Sequence, residues 1–138
     1  MKLIDYVILS IFVIAALMIL FRVLSVHRAE IYSPNVLAEK FSNFFGYSSK
    51  GMKQVRGNGY LTLTKDALNF KMYFPLKIVE IPISQIIETE IGYEHLGKIN
   101  FYLLRIRYNA DDCVETVAWR VADAETWSDK INELKFGT

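Results

Sequence analysis

Leu3 to Leu24 reads LIDYVILSIFVIAALMILFRVL. At a rise of about 1.5 Å per residue, this apolar run is long enough to cross a hydrocarbon core of roughly 30 Å. A signal peptide would have a shorter apolar region and a small-residue cleavage site, whereas here the run continues into Arg22, Val26, His27 and Arg28. A retained anchor over residues 1–24 is therefore the expectation, in preference to a cleaved leader or a buried helix. Asp5 and Arg22 sit near its two ends, where their polar tips reach the headgroups. Tyr6 lies where an interfacial anchor is expected.

Basic residues beside the span set its orientation. Lys2 precedes it, while Arg22, Arg28, Lys40, Lys50, Lys53 and Arg56 follow. This asymmetry predicts a single-pass protein of the cell (inner) membrane with its C-terminal part in the cytoplasm. The lone Cys113 cannot form an internal disulfide, in keeping with a reducing compartment.

Charge also divides along the chain. Residues 1–56 hold seven Lys and Arg against three acids, and residues 57–138 hold nine against twelve. A basic stretch beside a span gains roughly 1 kcal/mol per Lys or Arg near an anionic leaflet, which makes Arg28, Lys50, Lys53 and Arg56 the candidate lipid-surface residues. An ordinary positive-inside flank would look the same. The acidic remainder argues against nucleic acid as a partner.

Residues 25–56 read as a juxtamembrane linker. Ser33-Pro34 resembles a helix start and Gly46 a stop, and Leu37, Phe41, Phe44 and Phe45 fall on one helical face. A short amphipathic helix over about 34–45 is predicted, packed on the following domain or lying in the membrane interface. GYSSKGMKQVRGNG (46–59) then reads as a flexible polar connection.

From Gly59 the apolar period changes to two. Leu61 and Leu63 share a face; after the Lys65-Asp66 turn, Leu68, Phe70, Met72 and Phe74 share another. KIVEIPI ends near Pro82, which suggests an edge or a strand end. Gln85 to Ile91 forms a fourth strand, followed by a polar loop through Gly92, His95 and Gly97. NFYLLRIRY and CVETVAWRV flank a turn at Asn109-Ala110-Asp111-Asp112. Asp123 caps a closing helix in which Trp127, Ile131 and Leu134 recur at helical spacing.

GYLTLTKDALNF, VEIPISQI and ADAETWSDKI, in that order, resemble the pleckstrin-homology superfold in its bacterial PH or GRAM-like form, over roughly residues 57–138. The resemblance implies an α+β fold: an antiparallel barrel or sandwich of about six or seven strands closed by a C-terminal helix. It also implies a domain that binds lipids, peptides or proteins and is not catalytic. Phosphoinositide-binding members clasp phosphates with several Lys and Arg in a long loop between the first two strands. Here that loop reads as Lys65-Asp66, one positive charge beside a negative one, so inositide recognition is not expected.

Enzyme chemistry has no signature in the chain. His27 and His95 lack metal-ligand spacing to each other or to Cys113, and Ser48, Ser49 and Ser84 lie in no nucleophile motif. No catalytic residue, metal, cofactor or small-molecule substrate is expected. His95 reads as a solvated loop residue, and Cys113 as a small apolar filler.

Two functions follow. The first is a membrane-anchored scaffold or accessory subunit, attached to lipid through residues 3–24 and binding a protein partner or another copy through an outer strand face bearing Phe101, Leu103, Arg105 and Arg107. The second is a lipid-surface sensor that uses the basic linker. The first is preferred, because the lipid-loop chemistry reads as missing.

Overall fold

The apolar run folds as part of one helix, α1 (Leu3–Glu30). Within it Leu3–Val26, 24 residues, is long and apolar enough to cross a membrane, and most of this stretch is uncovered by the rest of the chain. The computed structural model describes residues 2–30 and 35–137, and the side chains of these except 27–30, 100 and 101. The predicted Ser33-Pro34 cap lies outside the described residues.

Among the described residues seven strands follow: β1 (Leu37–Tyr47), β2 (Gly57–Leu63), β3 (Ala67–Met72), β4 (Lys77–Pro82), β5 (Ile86–His95), β6 (Lys98–Asn109) and β7 (Val114–Arg120). They form one antiparallel sheet in the order β4-β3-β2-β1-β7-β6-β5, with β4 and β5 as unpaired edges, so the sheet curls without closing into a barrel. A C-terminal helix, α2 (Ala124–Phe136), completes the α+β fold.

The alternation read from Gly59 onward is realised in the inner face. Leu61, Leu63, Leu68, Phe70 and Met72 are fully or almost fully buried there, together with Val117 and Trp119 from β7. Phe44, Phe70 and Trp119 form an aromatic centre, with ring centroids 5.5 to 6.0 Å apart. Asp123 caps α2 by accepting from the Thr126 amide at 3.1 Å, and α2 lays Ala124, Trp127 and Ile131 on the core. Pro82 ends the edge strand β4, where its missing N–H costs no ladder bond.

β1 overturns the predicted helix over 34–45. Its central place in the sheet gives its backbone partners on both sides, β2 and β7. The Leu37, Phe41, Phe44, Phe45 spacing imitates a helical stripe because β1 carries two bulges, between Glu39 and Ser42 and between Phe44 and Gly46. Phe44 enters the main core, while its neighbour Phe45 is buried in a separate cluster with Leu103 and Ala118. A helix would have put both on one side. The folded unit therefore begins near residue 35, and the stretch expected to be a linker supplies its middle strand.

α1 leans on the outer face of this sheet: Val23 and Val26 pack on Tyr60 of β2 and on Tyr73 just past β3. Further toward its N-terminus, residues 14–22 border a groove whose opposite wall is the β3–β4 turn, Phe74-Pro75-Leu76. α1 thus runs past the end of the sheet that carries this turn.

Candidate functional site

The predicted partner face is largely occupied by the chain itself. Leu103 is 0% exposed, enclosed with Phe45 and Ala118. Arg105 and Arg107 sit directly across the β5–β6 ladder from Glu90 and Glu88, and pair with them at 3.5 and 2.8 Å. Such opposed charges stabilise a strand pair by a few tenths of a kcal/mol, up to about 1 kcal/mol. Gly92 opens the space that the Arg105 stem occupies, since a Cβ there would lie 2.6 Å from Arg105 Cδ. The Phe101 side chain lies outside the described residues. Of the other three, Leu103 is enclosed, and Arg105 and Arg107 are paired with Glu90 and Glu88.

The β5–β6 hairpin folds back toward the same region of β1. A register shift between Gly92 and Glu94 and a positive φ of 59° at Tyr102 mark a bend in it. Its tip comes back onto β1, where His95 Nε2 lies 2.8 Å from the Gly46 carbonyl oxygen. His95 is therefore buried and not a solvated loop residue. Burial holds its pKa below the usual 6.5, with help from the nearby Arg105 and Arg56 charges and against the Gly46 bond and Glu94. Cys113, read as a filler, is exposed in the β6–β7 turn.

The basic residues fare differently. Because the first strand is Leu37–Tyr47, the loop between the first two strands is Ser48–Arg56, not Lys65-Asp66. It carries Lys50, Lys53 and Arg56. The shortage of positive charge expected from the Lys65-Asp66 turn is thus corrected: the loop between the first two strands is basic. The Arg28 side chain lies outside the described residues.

This β1–β2 loop is held by polar side chains. Glu115 of β7 accepts from the Ser48 hydroxyl at 2.7 Å, from the Ser49 amide at 3.2 Å, and from the Ser49 hydroxyl. Burial raises the pKa of this carboxylate, but the bonds from Ser49, Ser48 and Thr116 outweigh it and leave it below the usual 4.5. The Gln54 side chain accepts from the Tyr47 amide at 2.7 Å and donates to the Tyr47 carbonyl at 2.8 Å, so it pairs with that backbone like a strand. Gly46, at φ +107°, is required here, because a Cβ would lie 2.5 Å from Gln54 Cδ.

Lys50 and Lys77 converge at this end of the sheet. Lys50 Nζ lies 4.9 Å from the Tyr47 ring centroid, and Lys77 Nζ lies 4.6 and 5.1 Å from those of Phe44 and Tyr47. Burial, then the Lys50 charge, lowers the Lys77 pKa. Two ammonium groups facing one aromatic wall make a place suited to an anion, which would relieve their repulsion. Lys77 gave no signal in the sequence, since only the fold brings the start of β4 beside the end of β1. Among the described residues, no three His, Cys, Asp or Glu side chains are grouped so as to hold a metal ion. No protein-family model matches the chain, and no curated protein matches it.

Proposed function

We propose that this chain is a membrane-anchored, non-catalytic binding module with a PH-like domain, held with its β1–β2 end against the cytoplasmic leaflet and responsive to anionic lipid there. The observation that carries this reading is a shared direction. The membrane-length stretch of α1 runs beside the β3–β4 turn, and the same end of the sheet bears Lys50 and Lys77. The strand order and the helix packed on the inner face support the PH-like resemblance.

Each Lys or Arg held near an anionic leaflet contributes about 1 kcal/mol. Lys50, Lys53 and Lys77 together would give only weak affinity to a free domain. Tethering changes this, because a short linker keeps the local concentration of the second contact in the millimolar range. A weak, salt-sensitive contact then suffices to orient the domain.

Hydrogen exchange on the full chain in nanodiscs tests the reading. The Ser48–Arg56 amides should exchange more slowly in anionic than in neutral nanodiscs, and the difference should vanish in high salt or in a Lys50→Gln, Lys53→Gln variant. Equal exchange in both lipids sinks it.

The scaffold role remains as a second reading on a different patch. Tyr93, Ile99 and Tyr102 are exposed on the β5–β6 hairpin, with the two tyrosine rings 6.2 Å apart. Exposed aromatic groups of this kind are enriched in protein interfaces. Loss of a co-purifying protein on Tyr93→Ser would favour it; unchanged co-purification would count against it.

A further inference from the structure

We propose that the β3–β4 turn, Phe74-Pro75-Leu76, is a second membrane-inserting element, sunk among the acyl chains of the leaflet beside α1. The proposal rests on the reading of α1 as a membrane span.

Phe74 and Leu76 are 67% and 51% exposed at the tip of a hairpin, where turn residues are ordinarily polar. Phe74 continues the apolar alternation of β3 yet does not join the core that Phe70 and Met72 enter. Pro75, between them, has no backbone N–H to leave unsatisfied in a lipid environment. Both chemistry and position suit a shallow apolar wedge.

The lipid occupant follows from continuity with the span. The tip forms one wall of a groove of about 690 Å³. Ile14, Met18 and Phe21 of α1 stand on the other wall, and Arg22 is the one charged residue among those lining it. Residues 14–22 fall inside the Leu3–Val26 stretch. At about 1.5 Å per residue they lie roughly 6 to 18 Å before its domain-side end. Whatever solvates α1 at that depth must also fill the groove and wet the tip. Beside a span that solvent is acyl chain, and water in so apolar a groove would be strongly disfavoured.

The test uses the full chain with Cys113→Ser in nanodiscs, carrying one environment-sensitive fluorophore at Leu76→Cys, Phe12→Cys or Lys65→Cys. Quenching is read from lipids spin-labelled on the acyl chain. Phe12 marks the span and Lys65 the turn at the opposite end of β3. The probe at 76 should be blue-shifted and quenched at least half as strongly as the probe at 12, with the probe at 65 unquenched. Adding Phe74→Asp should at least halve the quenching at 76.

A probe at 76 that behaves like the one at 65, while 12 is quenched, overturns the insertion and leaves the anchor standing. Absence of quenching at 12 overturns the span itself, and the insertion with it. A blue shift at 76 without lipid quenching means that protein, such as a second copy, fills the groove, and also overturns the proposal.

Discussion

His95 Nε2 lies 2.8 Å from the carbonyl oxygen of Gly46. This bond ties the folded-back β5–β6 hairpin to the bulge that ends β1, and it needs an imidazole that donates from Nε2. A protonated ring could also donate there, but burial and the neighbouring Arg105 and Arg56 oppose the extra charge.

His95 should therefore titrate below 6.5 in the folded protein, whereas the unfolded chain titrates near 6.5. As pH falls through 6.5 the unfolded state takes up the proton first, so stability decreases until the folded value is reached and then levels off. Imidazole NMR gives the midpoint, and melting curves between pH 7.5 and about 5 give the slope. A His95 midpoint above 6.5 contradicts the buried, neutral ring.

Glu115 should act in the same direction at lower pH, through its charged and not its neutral form. Its folded pKa lies below 4.5, so its contribution is complete above that value and is lost as pH falls through the lower folded one. Glu115→Ala should cost about 2 to 3 kcal/mol, as loss of hydrogen bonds to a charged group does. It should also speed hydrogen exchange across Ser48–Lys50. Unaltered exchange there would show that the loop does not depend on this carboxylate.

Trp127 is buried between α2 and the sheet. Trp127→Ala should cost about 3 to 5 kcal/mol, a large share of the stability of a small domain. Denaturant unfolding measures it, and a loss under 1 kcal/mol would mean that α2 is not an integral part of the core.

Orientation can be read through the one cysteine. Cys113 is exposed, so a membrane-impermeant thiol reagent should label it in opened but not in intact cells. Labelling of intact cells would place the domain outside.

Much of the fold was legible where local signals were self-consistent. The β2–β3 hairpin showed as alternating Leu61, Leu63, Leu68, Phe70 and Met72 about a polar turn, and α2 as a capped amphipathic stripe. β1 was misread because bulges break its period-two pattern, and its Phe44-Phe45 pair is buried on two faces, which only a covered central strand allows. That error moved the first loop from Ser48–Arg56 to Lys65-Asp66 and removed the basic loop from view. Leu103 read as exposed because Phe45, which packs on it, comes from a remote part of the chain. Lys77 and Glu115 were invisible for the same reason: their partners, Tyr47 at the end of β1 and the serines of the β1–β2 loop, are remote in the chain.

The central claim is that the β1–β2 loop faces the leaflet in which α1 is anchored. The most direct measurement places a fluorophore at Met52→Cys, an exposed site between Lys50 and Lys53, in the Cys113→Ser full chain in anionic nanodiscs. Quenching by lipids spin-labelled at the headgroup is then compared with that at Lys65→Cys. Quenching at 52 should be strong and weaken as salt rises, with little at 65. Equal, weak quenching at both sites would contradict it.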